Sequence, residues 1–162
     1  MHDSLTKELK RMLYWIKPEI CFVCNKCVSG CPVAEVRSEY RPNKIVKLAY
    51  LGFIDELIQS GIIWYCTQCL KCSERCPMDV HPASVIVALR NIASKKKLPP
   101  EAWIKMAKNI CVYGRITPEM GVVSKDRKLI KREDLGLRTP VVSKELIRRL
   151  YDETLFPMNL GD

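Results

Sequence analysis

The chain has 162 residues, 48% hydrophobic and 28% charged, a balance typical of a globular domain rather than a disordered chain. No run approaches the roughly 20 consecutive apolar residues of a membrane span. The N-terminal residues lack the apolar core of a signal peptide, so we expect a cytoplasmic location. The formal net charge of +9 raises the question of nucleic-acid binding.

Helical patterns surround two cysteine-rich runs in the first half of the chain. Residues 5–17 carry apolar side chains at helical spacing, and the pattern stops at Pro18. Pro42 suits the first position of a helix, and residues 53–60 are predicted to form a further short helix that Gly61 ends. These patterns favour helices over strands.

The second half begins with helices and then changes character. Pro82 again suits a helix start, and residues 101–111 are predicted to form another helix after two consecutive prolines. Residues 113–140 contain three glycines, two prolines and many charges, which indicates an extended segment. A last helix is predicted at residues 144–153.

The sequence therefore predicts a mainly α fold in two parts. Residues 1–112 are expected to form a helical domain that carries the chemistry. Residues 113–162 are expected to form an extended arm with a terminal helix. Because this arm is long, irregular and basic, with scattered Val, Ile and Leu, we expect it to dock a partner protein.

Eight of the nine cysteines belong to one internal repeat. It reads C-x-x-C-x-K-C-x-x-x-C-P within residues 20–33 and again within residues 65–78. A secreted disulfide framework would more often show an even number of cysteines. Tightly clustered cysteines in two identical spacings indicate metal or redox chemistry instead.

The spacing predicts two [4Fe–4S] clusters. Each cluster needs four thiolates, and a C-x-x-C-x-x-C run supplies three of them from a single loop. In two-cluster ferredoxins, the cysteine that precedes proline ligates the other cluster. The predicted ligands of the first cluster are Cys21, Cys24, Cys27 and Cys76. The predicted ligands of the second cluster are Cys66, Cys69, Cys72 and Cys31.

Residues around the cysteines have predicted supporting roles. Lys26 and Lys71, which occupy the same position in the two copies, either stabilise the reduced clusters or are solvated loop charges. Five apolar residues are candidates for a shell that limits access of solvent to the clusters: Phe22, Val23, Val33, Leu70 and Met78.

Structural zinc is the main alternative for the cysteines. Zinc sites use paired C-x-x-C elements or mixed Cys/His sets, and three evenly spaced cysteines plus Cys-Pro fit a cubane better. A zinc-stabilised basic module that binds nucleic acid would rest on the charge alone. Because Lys and Arg are spread along the chain, we expect no nucleic-acid partner. Of the remaining candidates, Cys111 is expected to be a buried inert thiol, and His81 a cap or packing residue.

Other catalytic signatures are absent from the sequence. It contains no G-x-G-x-x-G motif, no P-loop and no nucleophile elbow. We therefore assign no catalytic residue. The sequence predicts a chain that transfers electrons and is not catalytic on its own.

The two cysteine runs resemble those of a known fold and family. Thirty-four residues separate Cys31 from Cys66, and their helical character resembles the α-helical ferredoxin fold. Among proteins with that fold, IWYCTQCLKCSERCP and ICFVCNKCVSGCPV most resemble the C-type iron–sulfur subunits of heterodisulfide reductase. Many members have glycine after the second cysteine of the first run, where this chain has Asn25. Asparagine tolerates positive φ, so we expect the loop to be unchanged.

The resemblance implies a component of an oxidoreductase complex. Such a component relays electrons between a subunit with flavin and iron–sulfur clusters and a catalytic subunit that reduces the heterodisulfide of coenzyme M and coenzyme B. A hydrogenase or formate dehydrogenase module can be connected through the flavin-containing subunit. The methanogenic complex and the related sulfur-oxidising complex both remain open. Iron–sulfur subunits of glycolate, glycerol-3-phosphate and succinate or fumarate dehydrogenases are further alternatives, because they share the fold.

Overall fold

The computed structural model describes residues 2–96, 98–118, 120–138, 142–143, 145–147 and 149. The chain divides into two compact units, Met1–Pro100 and Glu101–Asp162. These units are defined by compactness. The predicted division by function, into residues 1–112 and 113–162, stays a prediction. In the part of the chain that the structure describes, no helix is long and apolar enough to cross a membrane.

The first unit is built from helices, which confirms the prediction of a mainly α fold. Two short 3-10 helices, Pro18–Ile20 and Ile62–Tyr65, each lead into a cysteine run. The α-helices are α1 (His2–Met12), α2 (Lys26–Ser29), α3 (Pro32–Val36), α4 (Pro42–Tyr50), α5 (Ile54–Gln59), α6 (Lys71–Glu74) and α7 (Pro82–Lys95).

The first helix ends earlier than the sequence predicts. The apolar pattern runs to residue 17, but α1 ends at Met12 and turns follow it. In these turns the Ile16 N–H donates to the Leu13 carbonyl at 2.8 Å, and both side chains are buried. A tight turn therefore lets Leu13 and Ile16 reach the core without a continuous helix.

Proline and glycine mark the other predicted boundaries. Pro42 and Pro82 are the first residues of α4 and α7, as predicted. Proline suits this position because its fixed φ matches the helix and its missing N–H would have no helical partner. Gly61 follows α5 with φ of +69°, a left-handed conformation that glycine adopts without strain.

The hydrophobic core lies around α7, which packs against α1, α4 and α5. The α7 residues Val85, Ile86 and Leu89 are fully buried. Helix α4 contributes Ile45 and Val46 to the same core. An ion pair between Lys95 and Glu8, 2.7 Å long, links the end of α7 to α1.

This packing places the two cysteine runs side by side. Helix α2, which carries Cys27, packs against α6, which carries Cys72. Helix α2 also packs against α4, and α6 packs against α7. The core helices α4 and α7 thus support one copy of the repeat each.

The second unit contains helix α8 (Glu101–Tyr113), strands β1 (Val122–Val123) and β2 (Leu129–Ile130), and a 3-10 helix (Glu133–Leu135). The strands are antiparallel, with Val122 opposite Ile130. This short hairpin interrupts the segment that the sequence predicts to be extended. Residues 145–147 and 149 are helical, and the other positions of the predicted helix at 144–153 lie outside the described residues.

Candidate metal centre

The first cysteine run forms a loop with two left-handed residues. The 3-10 helix Pro18–Ile20 leads into Cys21, and Val23 and Asn25 then have φ of +59° and +64°. Asn25 occupies the N-cap of α2, which positions Cys27 in the first turn of that helix. Asn25 thus adopts the positive φ that asparagine tolerates.

The second run repeats this backbone. The 3-10 helix Ile62–Tyr65 leads into Cys66, and Gln68 and Leu70 have φ of +55° and +62°. Leu70 occupies the N-cap of α6, as Asn25 does for α2. The equivalent positions of both loops are therefore left-handed although none is glycine. The sequence signalled this conformation only at Asn25.

One cavity gathers three cysteines of the first run and the fourth cysteine of the second. The space between its lining residues, which is partly open to solvent, is about 350 Å³. Its remaining lining is mostly apolar and includes Val80 and Pro82. The cysteines that line it are Cys21, Cys24, Cys27 and Cys76.

A second cavity has the reciprocal lining. The space between its lining residues, which is partly open to solvent, is about 300 Å³, and Tyr40, Pro42 and Ala83 also line it. The cysteines that line it are Cys31, Cys66, Cys69 and Cys72. The two cavities thus separate the eight repeat cysteines into two sets of four, and the cysteine that precedes proline joins the set from the other run.

The chemistry of this lining fits a cubane cluster. Four thiols surround each cavity, and thiolates are the ligands that [4Fe–4S] clusters use. In the described residues, no group of three or more Cys, His, Asp or Glu side chains is close enough to hold one metal ion. That finding concerns a single ion, whereas a cluster fills the volume between four thiolates.

Backbone N–H groups point at the cysteine sulfurs. The Gln68 N–H donates to Cys66 Sγ at 3.4 Å, and the Val80 N–H donates to Cys76 Sγ at 3.3 Å. A donor aimed at sulfur favours the thiolate over the thiol. The loop geometry therefore provides donors at sulfurs that are predicted cluster ligands.

Burial acts in the opposite direction on one cysteine of each run. It raises the pKa of Cys27 and of Cys72 from 9.0 to about 11. At Cys27, a hydrogen bond from the backbone of Asn43 partly opposes this effect. Both thiols are neutral at pH 7 in the cluster-free chain, so binding of a cluster must release their protons.

The other predicted site residues occupy three kinds of position. Lys26 and Lys71 are exposed beside the loops. His81 is the N-cap of α7, and its Nε2 atom lies 2.7 Å from Asp79 Oδ1. Cys111 lies on α8 and is half-buried rather than buried.

All five residues of the predicted apolar shell line the cavities, namely Phe22, Val23 and Met78 in the first, and Val33 and Leu70 in the second.

Three polar residues near the cavities were not predicted. Tyr40 lines the second cavity and Asn43 lines the first. Arg90 donates from Nη2 to the Cys66 carbonyl at 2.6 Å and from Nε to the Ile63 carbonyl at 2.9 Å. None belongs to the repeat, and only the packing of α4 and α7 brings them to it.

Residues 17–80 match the family of the 4Fe-4S dicluster domain. This range contains both cysteine runs and the helices between them. A C-type iron–sulfur subunit (C 2) of the CoB–CoM heterodisulfide reductase from Methanocaldococcus jannaschii is 39% identical over 98 residues, which cover 60% of this chain and 52% of that protein. The corresponding C-type subunit from Methanopyrus kandleri is 32% identical over 117 residues, with 72% and 60% covered.

A third relative aligns over more of its length. The C-type subunit of the H(2):CoB-CoM heterodisulfide,ferredoxin reductase from Methanothermobacter thermautotrophicus is 40% identical over 145 residues, which cover 88% of this chain and 78% of that protein. The first two relatives are matched over only about half to three-fifths of their length. The extent of the third match, together with the two cysteine runs on a mainly helical fold, shows that the chain belongs to the family of C-type iron–sulfur subunits of heterodisulfide reductase.

Proposed function

We propose that the chain binds two [4Fe–4S] clusters and serves as the electron-transfer subunit of a heterodisulfide reductase-type complex. The observation that carries this proposal is the pair of cavities, each lined by four cysteines. Cys21, Cys24, Cys27 and Cys76 would hold the first cluster, and Cys66, Cys69, Cys72 and Cys31 the second. Bound clusters supply one-electron oxidation and reduction.

The residues of the chain prepare the sites for this role. Backbone N–H groups at Cys66 and Cys76 favour the thiolate form and stabilise added negative charge. Apolar side chains around both cavities limit access of water. Cys24 and Cys69, the second cysteines of the two runs, are exposed. We therefore expect a partner to approach each cluster from this side.

The proposed partners follow from the family. The chain would relay electrons between a subunit with flavin and iron–sulfur clusters and a catalytic subunit that reduces the disulfide. A hydrogenase or formate dehydrogenase module would be connected through the flavin-containing subunit. The names of the relatives, which include H(2), formate and ferredoxin, support such a relay. The proposed location is the cytoplasm.

We also propose that residues 113–162 dock one of these partners. The described part of this segment exposes large apolar side chains, including Met120, Val122 and Leu129. Basic residues lie close to them in the sequence, at Lys125, Arg127 and Lys128 among others. Limited proteolysis of the isolated chain should cleave this segment, and addition of the partner should protect it. Resistance of the isolated chain would contradict the proposal.

Cofactor content is the first test. The chain is purified anaerobically, and iron, acid-labile sulfide and zinc are measured. About eight iron and eight sulfide per chain are expected for two cubanes. Zinc without sulfide would contradict the proposal and favour a zinc-stabilised module instead.

Serine variants test which cysteines share a cluster. Cys31→Ser and Cys66→Ser should alter the same electron paramagnetic resonance signal, although the two residues belong to different runs. Cys21→Ser and Cys76→Ser should alter the other signal. Cys111→Ser, outside the repeat, is the matched control and should alter neither. If Cys31→Ser instead resembles Cys21→Ser, the assignment across the two runs is wrong.

The relay itself is tested in the reconstituted complex. Cys31→Ser and Cys76→Ser should each sharply lower disulfide reduction, because each removes a ligand from one cluster. The Cys111→Ser control should keep the activity. Unchanged activity of both ligand variants, in complexes that assemble normally, would rule out the relay.

A further inference from the structure

A buried hydroxyl group faces the second cavity without an acceptor. Tyr40 is 1% exposed and lines this cavity together with four cysteines. Its hydroxyl lies beside the Cys66 sulfur, and burial together with this neighbour raises the pKa of Tyr40. No group in the described residues, however, has the distance and angles of a hydrogen bond to this hydroxyl. A buried hydroxyl without a partner is costly, so its position here calls for an acceptor.

We propose that the Tyr40 hydroxyl donates a hydrogen bond to a sulfur of the second cluster and raises the reduction potential of that cluster. The acceptor is either the Cys66 thiolate or a sulfide of the cluster. Reduction adds negative charge to the cluster and its thiolates, and a donor stabilises the reduced form more than the oxidised form. This inference rests on the proposed binding of two clusters.

The first cavity has no hydroxyl at the equivalent position. Tyr40 stands two residues before Pro42, the first residue of α4, and Val80 stands two residues before Pro82, the first residue of α7. Tyr40 and Pro42 line the second cavity, whereas Val80 and Pro82 line the first. The packing thus presents a hydroxyl to one cluster and an isopropyl group to the other.

Arg90 adds a positive charge beside Cys66, one of the cysteines that line the second cavity. Its side chain is buried, and its Nη2 atom donates to the carbonyl of Cys66 at 2.6 Å. The corresponding position of α4, eight residues after its first proline, is Tyr50, which has no cationic group. A buried cation stabilises added electrons, so Arg90 acts in the same direction as Tyr40. The second cluster is therefore the one that holds the electron more tightly.

The test compares Tyr40→Phe with the wild-type chain. The variant keeps the ring and removes only the hydroxyl, while Tyr50→Phe, which borders neither cavity, is the matched control. Both are purified anaerobically, and the two midpoint potentials are measured by redox titration with electron paramagnetic resonance. We expect Tyr40→Phe to weaken electron binding at one cluster about tenfold, which equals about 59 mV for a one-electron couple. Tyr50→Phe should shift neither midpoint.

A second readout detects the hydrogen bond directly. Exchange into deuterium oxide should shift iron–sulfur stretching bands of the wild-type chain, and part of this shift should be absent in Tyr40→Phe. A fluorinated tyrosine at position 40, which is a stronger donor, should raise the same midpoint that Tyr40→Phe lowers. This variant answers the question even if Tyr40→Phe loses its clusters.

The outcomes separate the inference from the proposed function. A wild-type chain without two clusters contradicts the proposed function. Two clusters with unchanged midpoints in both the phenylalanine and the fluorotyrosine variants contradict the role of Tyr40 alone. Opposite shifts of one midpoint, with the other unchanged, support the inference.

Discussion

Four left-handed residues shape the two cysteine loops. Val23, Asn25, Gln68 and Leu70 all have φ between +55° and +64°. Only glycine adopts this region freely, and a β-branched residue such as Val23 is a clear outlier there. Such conformations persist where the surrounding structure supports them, commonly at functional sites. In this chain they bend each loop so that its three cysteines line one cavity.

Asn25 gives the first prediction, since it combines a left-handed conformation with two hydrogen bonds. Its Oδ1 accepts from Asn43 Nδ2 and from Arg41 Nη2, both at 2.8 Å. Asn25→Asp retains the acceptor and should be close to wild type. Asn25→Gly leaves the buried Asn43 amide without its acceptor and should lose about 1–3 kcal/mol of stability. Asn25→Ala should lose about 1–2 kcal/mol more, because alanine disfavours positive φ.

The measurement for this series is anaerobic denaturant unfolding of the cluster-loaded chain, followed by loss of the visible absorbance. The order Asp, Gly, Ala of decreasing stability is the expected result. If Asn25→Ala is as stable as Asn25→Gly, the left-handed conformation is not the source of the additional cost.

The buried thiols give the second prediction, which concerns pH. In the cluster-free chain, burial raises the pKa of Cys27 and Cys72 from 9.0 to about 11. Thiols of the unfolded chain ionise first as the pH rises, so the unfolded state binds fewer protons than the folded state. The contribution of these thiols to the free energy of unfolding is therefore fully present below about pH 9. It falls by roughly 2–3 kcal/mol per thiol as the pH rises through about 11.

Urea unfolding under reducing, anaerobic conditions across this pH range measures the effect. The double variant with Cys27→Ser and Cys72→Ser is the control, because serine does not ionise there while the other titrating groups are unchanged. The wild type should lose more stability with rising pH than this variant. Equal slopes would show that the two thiols are not responsible.

At the scale of elements, α7 joins the core to the site. It begins at Pro82, which lines the first cavity, and it carries Arg90, which binds the backbone of the second run. Its inward face is buried against α1, α4 and α5. The first cavity and the second cysteine run are therefore both in contact with the helix that organises the core.

A matched pair of valines on α7 gives the third prediction. Val85 is 0% exposed, whereas Val87, two residues later on the same helix, is 37% exposed. Val85→Ala should destabilise the chain by about 2 kcal/mol through lost burial and the cavity it leaves. Val87→Ala should have little effect, and any gain in helix propensity is common to both variants. Denaturant unfolding checks this, and equal effects of the two substitutions would contradict the assigned core face.

At the scale of the whole molecule, the repeat is symmetric in sequence but not in environment. Each run supplies three cysteines to one cavity and one to the other. The surroundings differ, because Tyr40 lines the second cavity and Asn43 lines the first. Arg90 binds the backbone carbonyl of Cys66, which lines the second cavity. If the two cavities hold clusters as proposed, the two clusters should therefore differ in reduction potential.

Truncation gives the fourth prediction. Of the described residues, the core members apart from Ile147 lie between Leu9 and Ala93, and the eight repeat cysteines also lie in the first unit. A chain that ends at residue 100 should therefore retain the iron and sulfide content of the full chain, and so should a chain that ends at residue 112. If only the longer chain retains clusters, helix α8 belongs to the cluster domain, as the division at residue 112 predicts.

Local sequence determined the cysteine spacing, the starts of two helices and the helical class of this protein. The spacing of cysteines on one loop, the prolines that begin α4 and α7, and the tolerance of Asn25 for positive φ act over a few residues and can be identified without coordinates. The helical class and the mainly apolar inner faces follow from periodicity in the same way. These features sufficed to predict two cluster sites and a mainly α fold.

Tertiary structure decided what depends on distant contacts. Val23, Gln68 and Leu70 adopt left-handed conformations that their own side chains disfavour, so only the packed loop can impose them. Helix α1 ends at Met12 although Leu13 and Ile16 beyond it are buried, and the helical pattern alone does not reveal this end. Tyr40 reaches the second cavity, and Arg90 reaches the backbone of Cys66, only because α4 and α7 pack beside the loops. Their approach depends on contacts between residues far apart in sequence, and no local pattern specifies those contacts.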